Sequence, residues 1–99
     1  MSASSHQPPA SISPQDSLIE YPCSFPIKVM GARVDGFADA MVQIAQQFDP
    51  RFDAATLEMR PSKAGNYLSL TLTIHATSRE QLDNIYRALS SHPMVKVAL

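Results

Sequence analysis

The side chains best suited to nucleophilic catalysis or metal binding in this sequence are three histidines and a single cysteine. His6 lies near the N-terminus, His75 ends an alternating segment, and His92 follows a predicted helix. No pair of them has the spacing of a metal-ligand motif such as CxxC or HxxxH. Because Cys23 has no marked base beside it, we interpret it as a half-buried thiol. We therefore predict no catalytic residue, no metal and no cofactor.

The acidic residues and the glycines also lack a catalytic arrangement. Asp39 and Asp83 fall on the solvent sides of predicted helices, and no two carboxylates are marked as an acid/base pair. The three glycines are isolated, so none belongs to a phosphate-cradling loop. The sequence therefore predicts a protein that is not an enzyme.

Two loops nevertheless have the chemistry to hold a small anion. The loop 62–67 contains Lys63 and Gly65, and its backbone amides could join the lysine in binding. Gly31 and Arg33 connect a predicted strand to a predicted helix, and an arginine beside a helix N-terminus suits an anionic ligand. The alternative in both places is an ordinary turn, in which Gly65 supplies an unusual dihedral angle and Arg33 faces solvent.

The loop 62–67 leads into one long alternating segment, Asn66–His75, which organises the predicted fold. Its aliphatic residues are Leu68, Leu70, Leu72 and Ile74, and its polar residues are Ser69, Thr71, Thr73 and His75. Because successive side chains of a strand point to opposite faces, this segment predicts a strand with one core face and one polar face.

The remaining apolar patterns predict three more strands and two helices. We expect strands at Phe25–Met30, Thr56–Arg60 and Val95–Leu99, with Gly31 ending the first because it permits a tight turn. The first helix should begin at Asp35 as N-cap and stop at Asp49, which precedes Pro50. Thr77 and Glu80 have the spacing of a capping box for the second helix. Residues predicted to face the core from the strands are Phe25, Ile27, Val29, Leu57, Met59, Val95, Val97 and Leu99.

The resulting order, βαββαβ, predicts an α+β fold of the ferredoxin-like type. Right-handed crossovers would place a four-stranded antiparallel sheet against two helices packed on one face. The other face should then be open and rich in hydroxyl and charged groups. Its predicted members are Lys28, Glu58, Arg60, Ser69, Thr71, Thr73 and Lys96. We predict a partner or ligand surface formed by this face and the two loops, comprising Lys28, Gly31, Arg33, Arg60, Ser62, Lys63, Gly65, Tyr67, Ser69 and Thr71.

Composition limits the class of protein. We interpret residues 1–17, which are rich in serine and proline, as a disordered tail and residues 18–99 as the folded domain. The net charge of −1 gives no bulk attraction to nucleic acid or to an anionic membrane. One cysteine is compatible with a reducing compartment, and no apolar run reaches membrane-spanning length, so we expect a cytoplasmic protein.

The βαββαβ order also occurs in RNA-recognition modules, which stack bases on aromatic residues of the central strands. Here Tyr67 is the lone aromatic residue at the predicted exposed positions. Because single-strand recognition depends on such stacking, we predict no nucleic-acid partner.

Three spaced blocks carry a family resemblance. The first is Leu18–Pro22 followed by Phe25–Gly31, and the second is Pro61-Ser62 followed by Gly65–Tyr67 and Ser69. The third comprises Ala76-Thr77, Glu80-Gln81, Tyr86 and Leu89. Together they resemble the YbeD-like family of small bacterial proteins, whose function is unknown.

This resemblance implies a ferredoxin-like fold similar to ACT regulatory domains, which bind small effectors. It also implies a bacterial cytoplasmic protein, often encoded near lipoate-attachment genes, and brings no catalytic residues. Our first hypothesis is therefore a non-enzymatic regulatory or adaptor module that acts through protein contacts or self-association. The alternative is an ACT-type sensor of a small effector, linked to lipoate metabolism.

Overall fold

The computed structural model describes residues 20–99, so the predicted tail at residues 1–17 lies outside the described part of the chain. Four strands and two helices alternate in the predicted βαββαβ order. The strands are β1 (Cys23–Ala32), β2 (Glu58–Pro61), β3 (Tyr67–Ala76) and β4 (Val95–Ala98), and the helices are α1 (Phe37–Phe48) and α2 (Arg79–Ser91). A single 3₁₀ turn, Ala54–Thr56, precedes β2.

The sheet has the spatial order β2-β3-β1-β4, and every neighbouring pair is antiparallel. Both helices pack on one face, against β3 and β4 and against each other. The predicted ferredoxin-like fold is therefore confirmed. Its core joins one face of the sheet to one stripe of each helix: Ile27, Val29, Leu70, Leu72, Ile74, Phe37, Met41, Ala45, Leu82, Ile85 and Leu89.

β1 begins two residues earlier and ends two residues later than predicted, so Gly31 does not end the strand. Pro26 pairs with Thr73 inside the ladder. Lys28 exchanges backbone hydrogen bonds with Leu99 beside β4, at 3.1 and 2.7 Å. Since the backbone groups of alternate residues point the same way, Pro26 faces that side too, beyond the end of β4. Its missing N–H therefore costs no ladder hydrogen bond.

Both helices begin one residue later than predicted. The N-cap of α1 is Gly36 rather than Asp35, and its φ of 86° lies in the left-handed region that favours glycine. The N-cap of α2 is Ser78 rather than Thr77, and its hydroxyl accepts a hydrogen bond from the backbone N–H of Gln81 at 3.1 Å. The reciprocal bond runs from the backbone N–H of Thr77 to Oε1 of Gln81 at 2.7 Å.

Gln81 also joins three elements at one end of the sheet. Its Nε2 donates to the carbonyl of Phe48, at the end of α1, at 3.0 Å and to the carbonyl of His75 in β3 at 3.2 Å.

Nearby, the buried carboxylate of Asp49 accepts hydrogen bonds from the backbone N–H groups of Arg51 and His75, at 3.0 and 2.8 Å. β2 does not extend to His75, so Asp49 supplies the acceptor that a neighbouring strand would otherwise provide.

The edge strands depart from the predicted facing. Met59 lies on the helix side of the sheet but is 58% exposed, because β2 is the outermost strand and the helices pack on β3 and β4. In β4 the register shifts, so that Val97 pairs with Met30 while Val95 pairs with Gly31. Lys96 is therefore the extra residue of a β-bulge. Val97, predicted to be inward, faces the open side with Met30, and Leu99 is 72% exposed.

Candidate functional site

The open face of the sheet presents two rows of side chains that cross all four strands. One row is Arg60, Ser69, Met30 and Val97, and the other is Glu58, Thr71, Lys28 and Leu99. Residues directly opposite one another in antiparallel strands have Cβ atoms about 5 Å apart, so each row is continuous. Of the predicted surface residues, Lys28, Arg60, Ser69 and Thr71 thus share one face.

A shallow groove follows these rows between β2 and β1. One part, with a volume of about 190 Å³, has open-face lining residues Lys28, Glu58, Arg60, Ser69 and Thr71. An adjoining part of about 250 Å³ is lined by Met30, Arg60, Pro61, Ser62, Tyr67 and Ser69. Because Arg60 and Ser69 line both parts, we treat them as one feature, the sheet groove. Its charged side chains are exposed, while Ser69 and Thr71 are half-buried.

Beside the sheet groove lies an apolar patch that the sequence did not predict. Met30 is 43% exposed and Val97 44%, and they are cross-strand neighbours with Leu99 in the adjacent row. The β-bulge produces this patch, because it turns Val97 onto the open face. The open face therefore combines charged groups on β1 and β2 and hydroxyl groups on β3 with aliphatic groups toward β4.

The charges of the strands are predominantly basic although the whole chain carries −1. Among the strand residues that the structure describes, Glu58 is the only acidic one, against Lys28, Arg60 and Lys96. The helices have the opposite balance, with Asp39, Glu80 and Asp83 against Arg79 and Arg87. Basic residues are thus in excess on the strands and acidic residues on the helices, although Lys and Arg are spread evenly along the sequence.

The two predicted anion-binding loops adjoin each other. The backbone N–H of Arg33 donates to the carbonyl of Asn66 at 3.0 Å. A Cβ atom added to Gly65, whose φ is 79°, would lie 3.5 Å from Nη1 of Arg33. The guanidinium group therefore lies over the β2–β3 hairpin turn, which also carries the exposed Lys63.

Ser62 and Gly65 already use their polar groups within that turn. The N–H of Ser62 donates to the carbonyl of Tyr67 at 2.9 Å, and its hydroxyl accepts from the N–H of Tyr67 at 3.2 Å. The N–H of Gly65 donates to the carbonyl of Ser62 at 2.9 Å. The charged side chains that face solvent at this end are Arg33 and Lys63, with Tyr67 42% exposed beside them.

Gly31 lies apart from the rest of the predicted surface. It is buried on the helix-covered side, where an added Cβ would clash with the carbonyl of Met94 and lie 2.8 Å from the Phe37 ring. Glycine is required here for close packing between β1, the start of α1 and the segment before β4. It is therefore a core residue and not a lining residue of the open face.

The groups singled out for catalysis do not form a cluster. Cys23 is half-buried on the helix side of the sheet, as predicted, opposite Ala76. Nε2 of His75 is 3.1 Å from Nη1 of Arg51, and His75 lies at the end of β3 that is opposite the hairpin. Within residues 20–99, no three His, Cys, Asp or Glu side chains are placed to hold a metal ion. Burial raises the pKa of the Tyr86 hydroxyl above its usual value of 10.0, but Tyr86 lies on α2, away from the open face.

Comparison with known proteins identifies the family. A family model described as "Protein of unknown function (DUF493)" matches residues 16–99, which is most of the chain. This chain belongs to the DUF493 family.

Curated relatives of this DUF493 chain are bacterial UPF0250 proteins. It is 64% identical over 86 residues to one from Ralstonia nicotianae, covering 87% of this chain and 89% of the relative. It is 61% identical over 88 residues to one from Bordetella pertussis, covering 89% of this chain and 97% of the relative. The resemblance to the YbeD-like family inferred from three sequence blocks is thereby confirmed.

A solved structure supports the fold of the DUF493 chain independently. The solution structure of a protein from H. pylori superposes with a TM-score of 0.68 at 20% identity, covering 91% of this chain and 98% of the other. At that identity the likeness establishes the fold. In the part of the chain that the structure describes, neither helix has the length and apolar character needed to cross a membrane.

Proposed function

We propose that this DUF493 chain is a non-enzymatic regulatory or adaptor module of the bacterial cytoplasm that binds a protein partner through the open face of its sheet. The observation that carries the proposal is the apolar patch of Met30, Val97 and Leu99, exposed beside the charged sheet groove. Aliphatic groups surrounded by polar ones on an uncovered face are typical of protein-binding surfaces.

The open face is a better candidate than either edge of the sheet. An edge strand binds another chain through its unpaired backbone groups, and a bulge, a lysine or a proline there discourages such pairing. β4 carries the bulge at Lys96, and β2 is four residues long and ends at Pro61. Both edges therefore have features that oppose the addition of a strand from a partner. The open face binds through side chains, so these features do not hinder it.

The form of the sheet groove also favours binding over catalysis. Enzyme sites usually enclose the substrate and exclude water, which strengthens the electrostatic interactions that lower the barrier. Lys28, Glu58 and Arg60 are exposed to solvent along the sheet groove. Side chains in such a position are suited to steering and positioning a partner.

Site-specific photo-crosslinking in bacterial cells tests this assignment. A photoreactive amino acid replacing Thr71 in the sheet groove should capture a protein, because this position lies under the docked partner. The matched control replaces Asp39, which is exposed on α1. Circular dichroism would confirm that both variants fold. Crosslinks from Asp39 with none from Thr71 would contradict the proposal, and the mass of the Thr71 product distinguishes a second copy of this chain from another protein.

A second candidate function is that of an ACT-type effector sensor, including one linked to lipoate metabolism. The observation that favours it is the meeting of Arg33 with the hairpin turn that carries Lys63, since two cations there would suit a carboxylate or phosphate. Thermal-shift measurements with lipoate, octanoate and a panel of phosphorylated metabolites test it. A rise in melting temperature that disappears in the double variant Arg33→Ser, Lys63→Ser would support the sensor. A full panel without such a shift would refute it.

A further inference from the structure

We infer that the protein segment bound by the open face is acidic and carries aliphatic side chains. This inference rests on the proposed function, because it names the chemistry of the partner for the same surface. It follows from how charge and apolar area are distributed over the sheet.

Charge complementarity selects an acidic partner. Lys28 and Arg60 both line the sheet groove, on strands that are separated by β3 alone. Glu58 is the one acidic strand residue between residues 20 and 99, and it cannot neutralise both cations. Arg33 and Lys63 extend the basic surface to the hairpin end. A carboxylate-bearing segment would be drawn to this face and repelled by the acidic excess on the helices.

The geometry of the rows places aliphatic groups within reach of the same segment. Met30 lies between Ser69 and Val97 in its row, and Lys28 lies between Thr71 and Leu99 in the other. Four strands at about 4.8 Å spacing give a row of about 14 Å, which about four or five extended residues would span. A segment crossing the sheet could thus put carboxylates over the sheet groove and aliphatic side chains over Met30, Val97 and Leu99.

The same face is poorly suited to single-stranded nucleic acid. Base stacking needs aromatic platforms, and Tyr67 is the aromatic residue among the open-face positions of the described strands. The exposed hydrophobic residues near β4 are aliphatic, and Glu58 in the sheet groove would repel phosphates. Aliphatic anchors and a carboxylate beside the two cations are compatible with a polypeptide that carries only a few acidic groups.

Selection from a phage-displayed library of short random peptides tests the inference with the full-length chain. We expect enrichment of peptides that combine Asp or Glu with Leu, Ile, Val or Met. Synthetic copies should bind the double variant Lys28→Glu, Arg60→Glu about tenfold more weakly, because each reversal turns an attraction into a repulsion. The matched control, Arg79→Glu with Arg87→Glu on α2, changes the net charge equally and should alter the dissociation constant by less than about twofold.

A second variant examines the apolar half of the surface. Met30→Ser should weaken the same peptides several-fold without lowering the melting temperature by more than a few degrees, because Met30 lies outside the core and is 43% exposed. Amide chemical-shift changes in the labelled protein should extend across all four strands, from Arg60 in β2 to Val97 in β4. Unchanged binding to Met30→Ser would overturn the aliphatic part of the inference.

The outcomes separate this inference from the proposed function. Enriched peptides that are neutral or basic, or that lose affinity equally in both double variants, would overturn the acidic partner. The Thr71 crosslinks would then decide whether the face still binds proteins. Failure to enrich any peptide, or tighter binding of oligouridylate than of the selected peptides, would also overturn it. Absence of crosslinks from Thr71 would remove the proposed function and this inference together.

Discussion

The two faces of this sheet are made by the same strands and differ in what they contact. On the covered face Ile27, Leu70 and Leu72 are fully buried beneath the helices. On the open face their chain neighbours Lys28 and Thr71 remain exposed or half-buried. In the two central strands, β1 and β3, a residue's contribution to stability therefore depends on which face its position in the strand turns it toward. The covered face should tolerate little change, while the open face can be varied with little loss of stability and is available for binding.

The largest difference between the faces is expected for a pair of adjacent residues in β3. Leu72→Ala should lower the free energy of unfolding by about 2–5 kcal/mol, because it leaves a cavity under both helices. Thr71→Ala removes a half-buried side chain on the other face and should cost less than about 1 kcal/mol. Chemical denaturation of both variants measures this. Equal losses, or the reverse order, would show that the facing of β3 is misassigned.

A second comparison uses two glycines, Gly31 in a closely packed position and Gly36 in an open one. Gly31→Ala should lower the free energy of unfolding by about 3 kcal/mol, since the new methyl group meets the Met94 carbonyl and the Phe37 ring. Gly36→Ala has open space around it and should cost about 1 kcal/mol through its positive φ. Thermal and urea unfolding of both variants would measure the difference. A Gly31→Ala protein as stable as Gly36→Ala would mean that β1 and the segment before β4 pack less closely than described.

Two valines on the opposite faces give a matched test with one chemical change. Val29 is buried on the covered face, whereas Val97 is 44% exposed on the open face. Val29→Thr should lower the free energy of unfolding by about 1–2 kcal/mol, because the hydroxyl is buried without an arranged partner. Val97→Thr should change it by less than about 0.5 kcal/mol. A loss at Val97 as large as at Val29 would contradict the register that the bulge imposes.

The smallest expected effect is a pH dependence of the free energy of unfolding that comes from Tyr86 on α2. The pKa of Tyr86 is raised by burial in the folded state, so above pH of about 10 the folded protein retains a proton that the unfolded chain loses. The free energy of unfolding should therefore fall as the pH rises from about 10 through the higher folded pKa. Urea denaturation across that range, with Tyr86→Phe as control, measures it. A fall of the same size in the control would assign the effect to other groups.

The central strand and the helices were predictable because their signals are local. The alternation of Leu68, Leu70, Leu72 and Ile74 gave the correct facing of β3, and the apolar stripe of α2 gave its buried side. Burial of one face makes each position in such a strand distinct, so a shift of register would expose the whole apolar set. The order of elements then left few topologies to choose from.

The edges and the loops were less predictable because their structure depends on distant neighbours. Alternation alone placed Val97 inward, and the bulge at Lys96 reverses this through pairing with β1. Met59 has the correct parity but no helix above it. Gly31 has the composition of a turn and the surroundings of a core residue. Each outcome is decided by a partner far away in the chain, which local periodicity does not reveal.

The candidate surface was predictable in part for the same reason. The alternation of side chains along the strands was enough to predict that one face carries Lys28, Arg60, Ser69 and Thr71. The aliphatic patch was missed because it requires the bulge. The proximity of Arg33 to Gly65 was missed because it joins residues that are 32 positions apart in the sequence.

The hydrogen bonds of Gln81 have a consequence for the motions of the domain. One side chain holds the end of α1 through Phe48, the end of β3 through His75 and the entry to α2 through Thr77. None of these segments can separate from the others without breaking at least one of its bonds. Opening fluctuations at this end should therefore be shared, with amide protons of all three segments exchanging with deuterium at similar rates as one cooperative unit. At the hairpin end the link is the backbone hydrogen bond from Arg33 to Asn66, and the exposed side chains of Arg33 and Lys63 there remain free to adjust to what the open face binds.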